Sequence, residues 1–245
     1  MFSGLLANAQ SFSLGARGGI SIPNLTAGGG DNNPLNTGYS SRLGGDAAIF
    51  GEYKVSKLFS LQLGAEYSSQ GGKKDGYQAL PTPAAFAAAF PPGQAPTYLY
   101  ATFNSEAKFN YLLVPLLAKF GWNFGHTSPW RVYVDAGPFV GFLLSAKQVV
   151  SGNSMFYLDA GMQEPLTQAG TQNLNATQDI KSDIHSTNFG IEGNVGLNYH
   201  FGVSNVFFEV GGNYGFLNIQ KGTADGKNNI GAATAAIGYR FSFGK

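Results

Sequence analysis

Eight segments of this chain alternate apolar and polar residues with a period of two, and no charge stands on the apolar side of any of them. Successive side chains of a strand point to opposite faces, whereas a helix repeats every 3.6 residues, so the pattern demands half-buried strands. The segments are 12–20, 42–55, 59–68, 111–122, 130–144, 188–201, 206–216 and 231–243. The third is the clearest: Phe59, Leu61, Leu63, Ala65 and Tyr67 alternate with Ser60, Gln62, Gly64, Glu66 and Ser68. Together the apolar faces hold fifty-one uncharged positions. The opposite faces carry twelve charges, six basic (Arg17, Arg42, Lys54, Lys119, Arg131, Arg240) and six acidic (Asp46, Glu52, Glu66, Asp135, Glu192, Glu209). In the fourth segment Leu113 and Leu117 make the second face apolar too, and Pro115 removes a ladder donor, which predicts a local bulge there.

Alternation alone fits two opposite objects, a soluble barrel that is apolar inside and a membrane barrel that is apolar outside. Composition favours the second. Only 12% of residues are charged, against roughly 25% in soluble globular chains. The less apolar face is mostly Gly, Ser and Asn, which fit a narrow cylinder better than they wet an outer surface. Aromatic residues gather at the ends of the apolar stripes (Tyr53, Tyr67, Trp122, Trp130, Tyr199, Phe201, Tyr239, Phe241, Phe243), where a bilayer places an interfacial girdle. The connections alternate long and short, as in outer-membrane barrels with long extracellular loops and tight periplasmic turns. The long ones are 22–41, 70–110, 145–187 and 220–229. Lipid offers the backbone no hydrogen bonds, so the first strand must close on the last. A Lys or Arg facing the bilayer midplane costs about 2–4 kcal/mol, a penalty the fifty-one positions avoid. The reading is all-β: an eight-stranded antiparallel up-and-down transmembrane barrel with both termini periplasmic.

The start of the chain, MFSGLLANAQ, ends a short apolar stretch with Ala7-Asn8-Ala9, a small-x-small pattern of the kind signal peptidase cleaves. We read residues 1–9 as a residual signal-peptide segment and 10–245, from Gln10, as one barrel domain; a frayed soluble terminus is the alternative. No apolar run approaches a membrane-spanning helix, since the longest, 111–118, ends at Lys119. A net charge of +1 gives a nucleic-acid partner no electrostatic footing, and the absence of cysteine excludes disulfides and thiolate chemistry.

Four stretches carry a resemblance: 61–71 (LQLGAEYSSQG), 111–120 (YLLVPLLAKF), 136–141 (AGPFVG) and the closing Gly238-Tyr239-Arg240-Phe241. They are similar to the PorT-like outer-membrane β-barrel family of the Bacteroidota, and the similarity covers nearly the whole chain after Gln10 except the long loops. The resemblance implies that a proline at 115 is a family habit. The ending Tyr239-Arg240-Phe241-Ser242-Phe243 is similar to the signal read by the barrel-assembly machinery, although Gly244 and Lys245 follow it. One branch of that family serves in type IX protein secretion.

Catalytic, metal and cofactor motifs are weak. His126 falls in a predicted periplasmic turn, His185 in an outer loop beside Asp179 and Asp183, and His200 at the periplasmic end of the lumen face. None pairs with a serine as a lipid hydrolase of this shape would require. A loop with scattered carboxylates is more often hydrated than metal-binding. Gly28-Gly29-Gly30 and Gly71-Gly72-Lys73 lack phosphate-loop spacing and read as turns, and Asp225-Gly226 as a reversal. The Pro- and Ala-rich stretch 81–96 predicts a short helix over 84–90, whose Phe86 and Phe90 either meet a partner or lipopolysaccharide or pack on the rim.

Twelve charges inside so narrow a cylinder should form a network that fills it, without conduction. A last hairpin folded about 220–229 sets Glu209 opposite Arg240 and predicts an ion pair near the periplasmic end. The function expected is non-enzymatic, without metal or cofactor: a structural or binding role carried by the outer loops. Its partners would be outer-membrane lipids and lipopolysaccharide, the barrel-assembly machinery and envelope proteins. Three alternatives stay open: a component of a type IX-like secretion system, a lipid-modifying hydrolase and a soluble ligand-binding barrel.

Overall fold

The computed structural model describes residues 11–28, 34–35, 38–125, 127–222 and 227–243, with the backbone alone for 26–28. The signal-peptide reading of residues 1–9, Gln10, His126, Gly29-Gly30, Asp225-Gly226 and Gly244-Lys245 lie outside the described residues.

Eight long strands follow one another: β1 (Ser11–Gly28), β2 (Gly44–Lys54), β3 (Phe59–Pro81), β4 (Tyr98–Asn123), β5 (Trp130–Ser151), β6 (Thr187–Phe201), β7 (Ser204–Gly215) and β8 (Lys227–Phe243). Each pairs antiparallel with the next, and β1 closes on β8 from Phe12↔Phe243 to Gly28↔Lys227. The ring leaves these backbones no open edge, the condition a sheet must meet in hydrocarbon. The apolar stripes face outward: Ile49, Leu63, Val195, Phe208 and Ile237 are each more than half exposed. The charged faces turn inward, where Arg17, Asp46, Glu66, Glu192 and Glu209 are all buried. This excludes a soluble barrel with an apolar calyx.

One end of the cylinder is tight. Gly202 enters the left-handed region at φ 63° in the reversal between Phe201 and Ser204, which stand opposite each other in the ladder. The Ser56 hydroxyl accepts from the amides of Leu58 and Phe59 in the turn after β2. The other end is tall. A transmembrane strand needs roughly 9–11 residues, but β3 has 23 and β4 has 26. The stretch 70–110, expected as a loop, is therefore mostly a continuing hairpin, paired from Gln70↔Phe109 to Pro81↔Tyr98. It escapes a search for uncharged outer faces because, clear of the bilayer, its sides carry Lys73, Lys74, Asp75, Glu106 and Lys108. Gly71-Gly72-Lys73 lies within β3 and does not form the expected turn, while of Gly28-Gly29-Gly30 only Gly28, the last residue of β1, is described. Gly71 sits at φ 121° where a Cβ would lie 2.0 Å from the Ala107 carbonyl oxygen, and only glycine permits that approach.

Pro115 points into the lumen; the ladder to β3 skips Val114 and Pro115, and that to β5 keeps Pro115 opposite Phe139 but skips Leu116 and Leu117, without a change of register in either. The expected bulge is not there. The register of β4 against β5 shifts instead between Asn110 and Tyr111. The segment 84–90 forms a short helix, Ala84–Ala87, behind Pro83. Phe86 is taken up by packing, its ring 4.9 Å from that of Phe156.

Candidate functional site

The barrel interior is stacked in layers along its axis. At its centre Arg17 of β1 is ringed by four carboxylates. It donates to Glu66 and Glu209, reaches Glu192 at 3.2 Å and stands 3.7 Å from Asp46. Four strands other than β1 supply these acids, so one guanidinium cross-links much of the circumference. The Tyr133 hydroxyl donates a 2.5 Å hydrogen bond to Glu209. Toward the tight end Lys119 lies 3.6 Å from Glu52 and 3.4 Å from Asp135, donates to Gln62 at 2.7 Å, and Arg240 donates to Glu52. The Asn194 amide joins the layers, donating to Asp135 at 2.9 Å and Glu192 at 3.1 Å.

Of the twelve charges expected in one network, nine therefore fall into two linked clusters. Arg42 stands apart near the tall end, holding Glu106 at 2.8 Å and the Gln70 carbonyl at 2.8 Å. Lys54 and Arg131 stand at the tight end and, among the described residues, neither enters an ion pair. The expected Glu209–Arg240 pair does not form. Glu209 lies opposite Ala236, and Arg240 opposite Asn205. The hairpin register differs by four residues because the chain leaves the β7 ladder after Gly215. Gln220 then pairs with Ile184 rather than extending the hairpin to β8.

Above the ions the lumen is closed by apolar side chains, a layer sequence reasoning missed. Phe109, Tyr111, Leu113, Phe139 and Leu143 meet Ile184 and Ile219, which come from loops beyond the strands. Leu113 was a visible signal, being an apolar residue on a face meant for polar ones; Ile184 and Ile219 carried none. A second, smaller core lies in the raised hairpin, where Leu99, Ala101 and Phe103 pack against Phe156 of the β5–β6 connection. Tyr77, Tyr100 and Tyr157 cluster beside it, with ring centroids 5.9 and 5.8 Å from Tyr77. Asp159 closes the adjoining turn: its carboxylate accepts from the amides of Glu164 at 2.7 Å, Gly161 at 2.7 Å and Gln163 at 2.9 Å, and these donors hold it below the usual carboxylate range.

Most of the named aromatics ring the tight end. Trp130 and Tyr199 lie 4.9 Å apart, Phe201 and Tyr239 6.3 Å, and Phe241 and Phe243 4.9 Å. Tyr53 stands opposite Phe12 and Leu61, and Trp122 opposite Val132, on the same band. Tyr67 stands apart, opposite Ala47 and Leu112 toward the tall end. There Phe189, Tyr214 and Phe216 form a second aromatic patch.

The two described histidines stand at opposite ends of the barrel. His185 is exposed at the tall end, its amide bonded to the Ile219 carbonyl, while Asp179 and Asp183 are occupied by Lys181 and Ser182. His200 lies at the opposite end, beside Asn205. Among the described residues no three His, Asp or Glu side chains are grouped to hold a metal.

The family model for an outer membrane protein beta-barrel domain matches residues 8–221. No curated protein matches the chain. Among solved structures the chain is similar to Neisserial surface protein A at 12% identity, covering 97% of this chain and 100% of that one, with a TM-score of 0.42. OprG from Pseudomonas aeruginosa aligns at 12% identity over 96% and 98% of the chains, with a TM-score of 0.40. Ail of Yersinia pestis, crystallised with the heparin analogue sucrose octasulfate, aligns at 10% over 95% and 99%, with a TM-score of 0.37.

Proposed function

Because the chain belongs to the outer membrane protein beta-barrel domain family, we propose that it is a non-enzymatic surface protein of the bacterial outer membrane, with its tight end and both termini in the periplasm. Its working part is then the platform raised on the tall end. The observation that carries this is the pairing of a closed lumen with an ordered exterior. An apolar layer and an ion network fill the pore, while Leu99, Phe103 and Phe156 give the raised hairpin a core of its own. A protein that conducts would need the first removed, and one that merely fills the membrane would not need the second. The platform is suited to binding lipopolysaccharide or envelope proteins. The closing Tyr239–Phe243 stretch would serve the barrel-assembly machinery during insertion.

A photo-reactive side chain at Tyr157 in living cells should form discrete adducts with lipopolysaccharide or one envelope protein, and the purified barrel should pass no current in a planar bilayer. Ion current together with no adduct would defeat the reading.

The quoted similarity over residues 61–71, 111–120 and 136–141 supports a second, narrower reading, a PorT-like protein of the Bacteroidota serving type IX-like secretion. Deleting the gene would then block export of secreted cargo, which the first reading does not require. The hydrolase alternative has no such support, since His185 and His200 stand at opposite ends of the barrel.

A further inference from the structure

Charge in this lumen is segregated along the axis. Four carboxylates share Arg17 at the centre, whereas the tight-end mouth gathers bases. Lys54 ends β2 on its inward face and is half-buried. Arg131 lies flat across Gly121, where a Cβ would come 2.4 Å from its Nε, and donates to the Lys57 carbonyl at 3.1 Å. Arg240 is buried and donates to Glu52, but its Nε is shielded from solvent and finds no hydrogen-bond partner among the described residues. His200 stands in the field of Arg240, Arg131 and Lys54 together. Beside them Asn205, also buried, stands opposite His200 on one strand and Arg240 on the other, which brings those two side chains to one level of the lumen.

Among the described residues the carboxylate paired within this group is Glu52, and it is already shared among Arg240, Lys119 and the Ser60 hydroxyl. Guanidinium and ammonium groups brought together in a confined, partly dry space repel, and an oxyanion between them removes the repulsion while meeting open N–H donors. We propose that the tight-end mouth is a binding site for a single oxyanion group, a phosphate or a carboxylate, built by Lys54, Arg131, His200 and Arg240. With the orientation proposed above, the anion arrives from the periplasm. The mouth of an eight-stranded cylinder admits one such group rather than a polymer, and the acidic layer around Arg17 stops it from passing further.

The test uses the full chain folded in a zwitterionic detergent at low salt, titrated with inorganic phosphate and, separately, acetate, and followed by the NMR signals of the Arg131 and Arg240 Nε–H groups and the His200 ring. These signals should shift and saturate while that of Arg17 stays still, and Lys54→Gln with Arg131→Gln should weaken the apparent Kd at least tenfold. Gel mobility without boiling establishes that each variant has folded; if the double variant does not, Lys54→Gln alone is titrated. Either of two results overturns the proposal: no saturable shift, or equal binding by wild type and the folded variant.

Discussion

Four large lumen side chains each stand directly opposite a glycine on a neighbouring strand: Phe50 on Gly15, Tyr133 on Gly196, Phe139 on Gly190 and Phe207 on Gly238. A Cβ at Gly196 would fall 2.2 Å from the Tyr133 ring, and one at Gly238 2.2 Å from Phe207. These four glycines thus leave space for aromatic rings in a cylinder too narrow to hold both. Gly196→Ala should cost about 1–3 kcal/mol in urea unfolding from micelles, the range for overpacking. Gly18→Ala, outward-facing with nothing within 4 Å, should change stability by less than about 0.5 kcal/mol. Equal effects would mean that the rings do not rest on the glycines. Arg17→Met leaves four carboxylates facing one another without their cation, and loss of about 3–5 kcal/mol is expected at neutral pH. At this scale the sequence was half legible. Sign and face sorted all twelve charges inward or to a mouth, but partners depend on register, and a four-residue difference moved Glu209 from Arg240 to Arg17 and Tyr133.

Elements follow the same division. Alternation located all eight strands where they cross lipid, because there a wrong-sided charge is costly. It missed 70–81 and 98–110, where water tolerates Lys73 or Glu106 on either side and the apolar constraint is confined to the small core around Phe103 and Phe156 and to Ala107 and Phe109 at the lumen. The turn 159–164 beside that core should respond to pH. The Asp159 carboxyl is held below its ordinary value of 3.8, so its support for the turn is complete above that pH and lost as pH falls through the lower folded value. Hydrogen exchange at the amides of Gln163 and Glu164 should accelerate, beyond the intrinsic pH effect, in acid but not at pH 6, and Asp159→Ala should show the fast rate at both. Protection unchanged in acid would remove the carboxylate from that role. Replacing 74–104 by a tight turn should leave a barrel that still migrates compactly without boiling, since these residues lie beyond the membrane ring; a chain that no longer closes would show that the hairpin is part of the barrel's own fold.

For the molecule as a whole, closure and outward-facing apolar stripes make one object of eight weak signals. No helix of the described chain is long and apolar enough to cross a membrane, and that says nothing against strands that do. The outer mouth was the least legible part, because Ile184 and Ile219 seal it from loops whose sequence has no period. Nitroxide labels placed one at a time along β6, from Phe189 to Tyr199, test the central claim most directly when the refolded barrel is held in lipid vesicles. Labels at Phe189, Ile191, Gly193, Val195 and Leu197 should relax with oxygen dissolved in hydrocarbon, and those at Glu192, Asn194 and Asn198 should not. Oxygen accessibility in the opposite phase, or water-soluble relaxation agents reaching the odd-numbered set, would contradict a sheet whose apolar side is wetted by lipid.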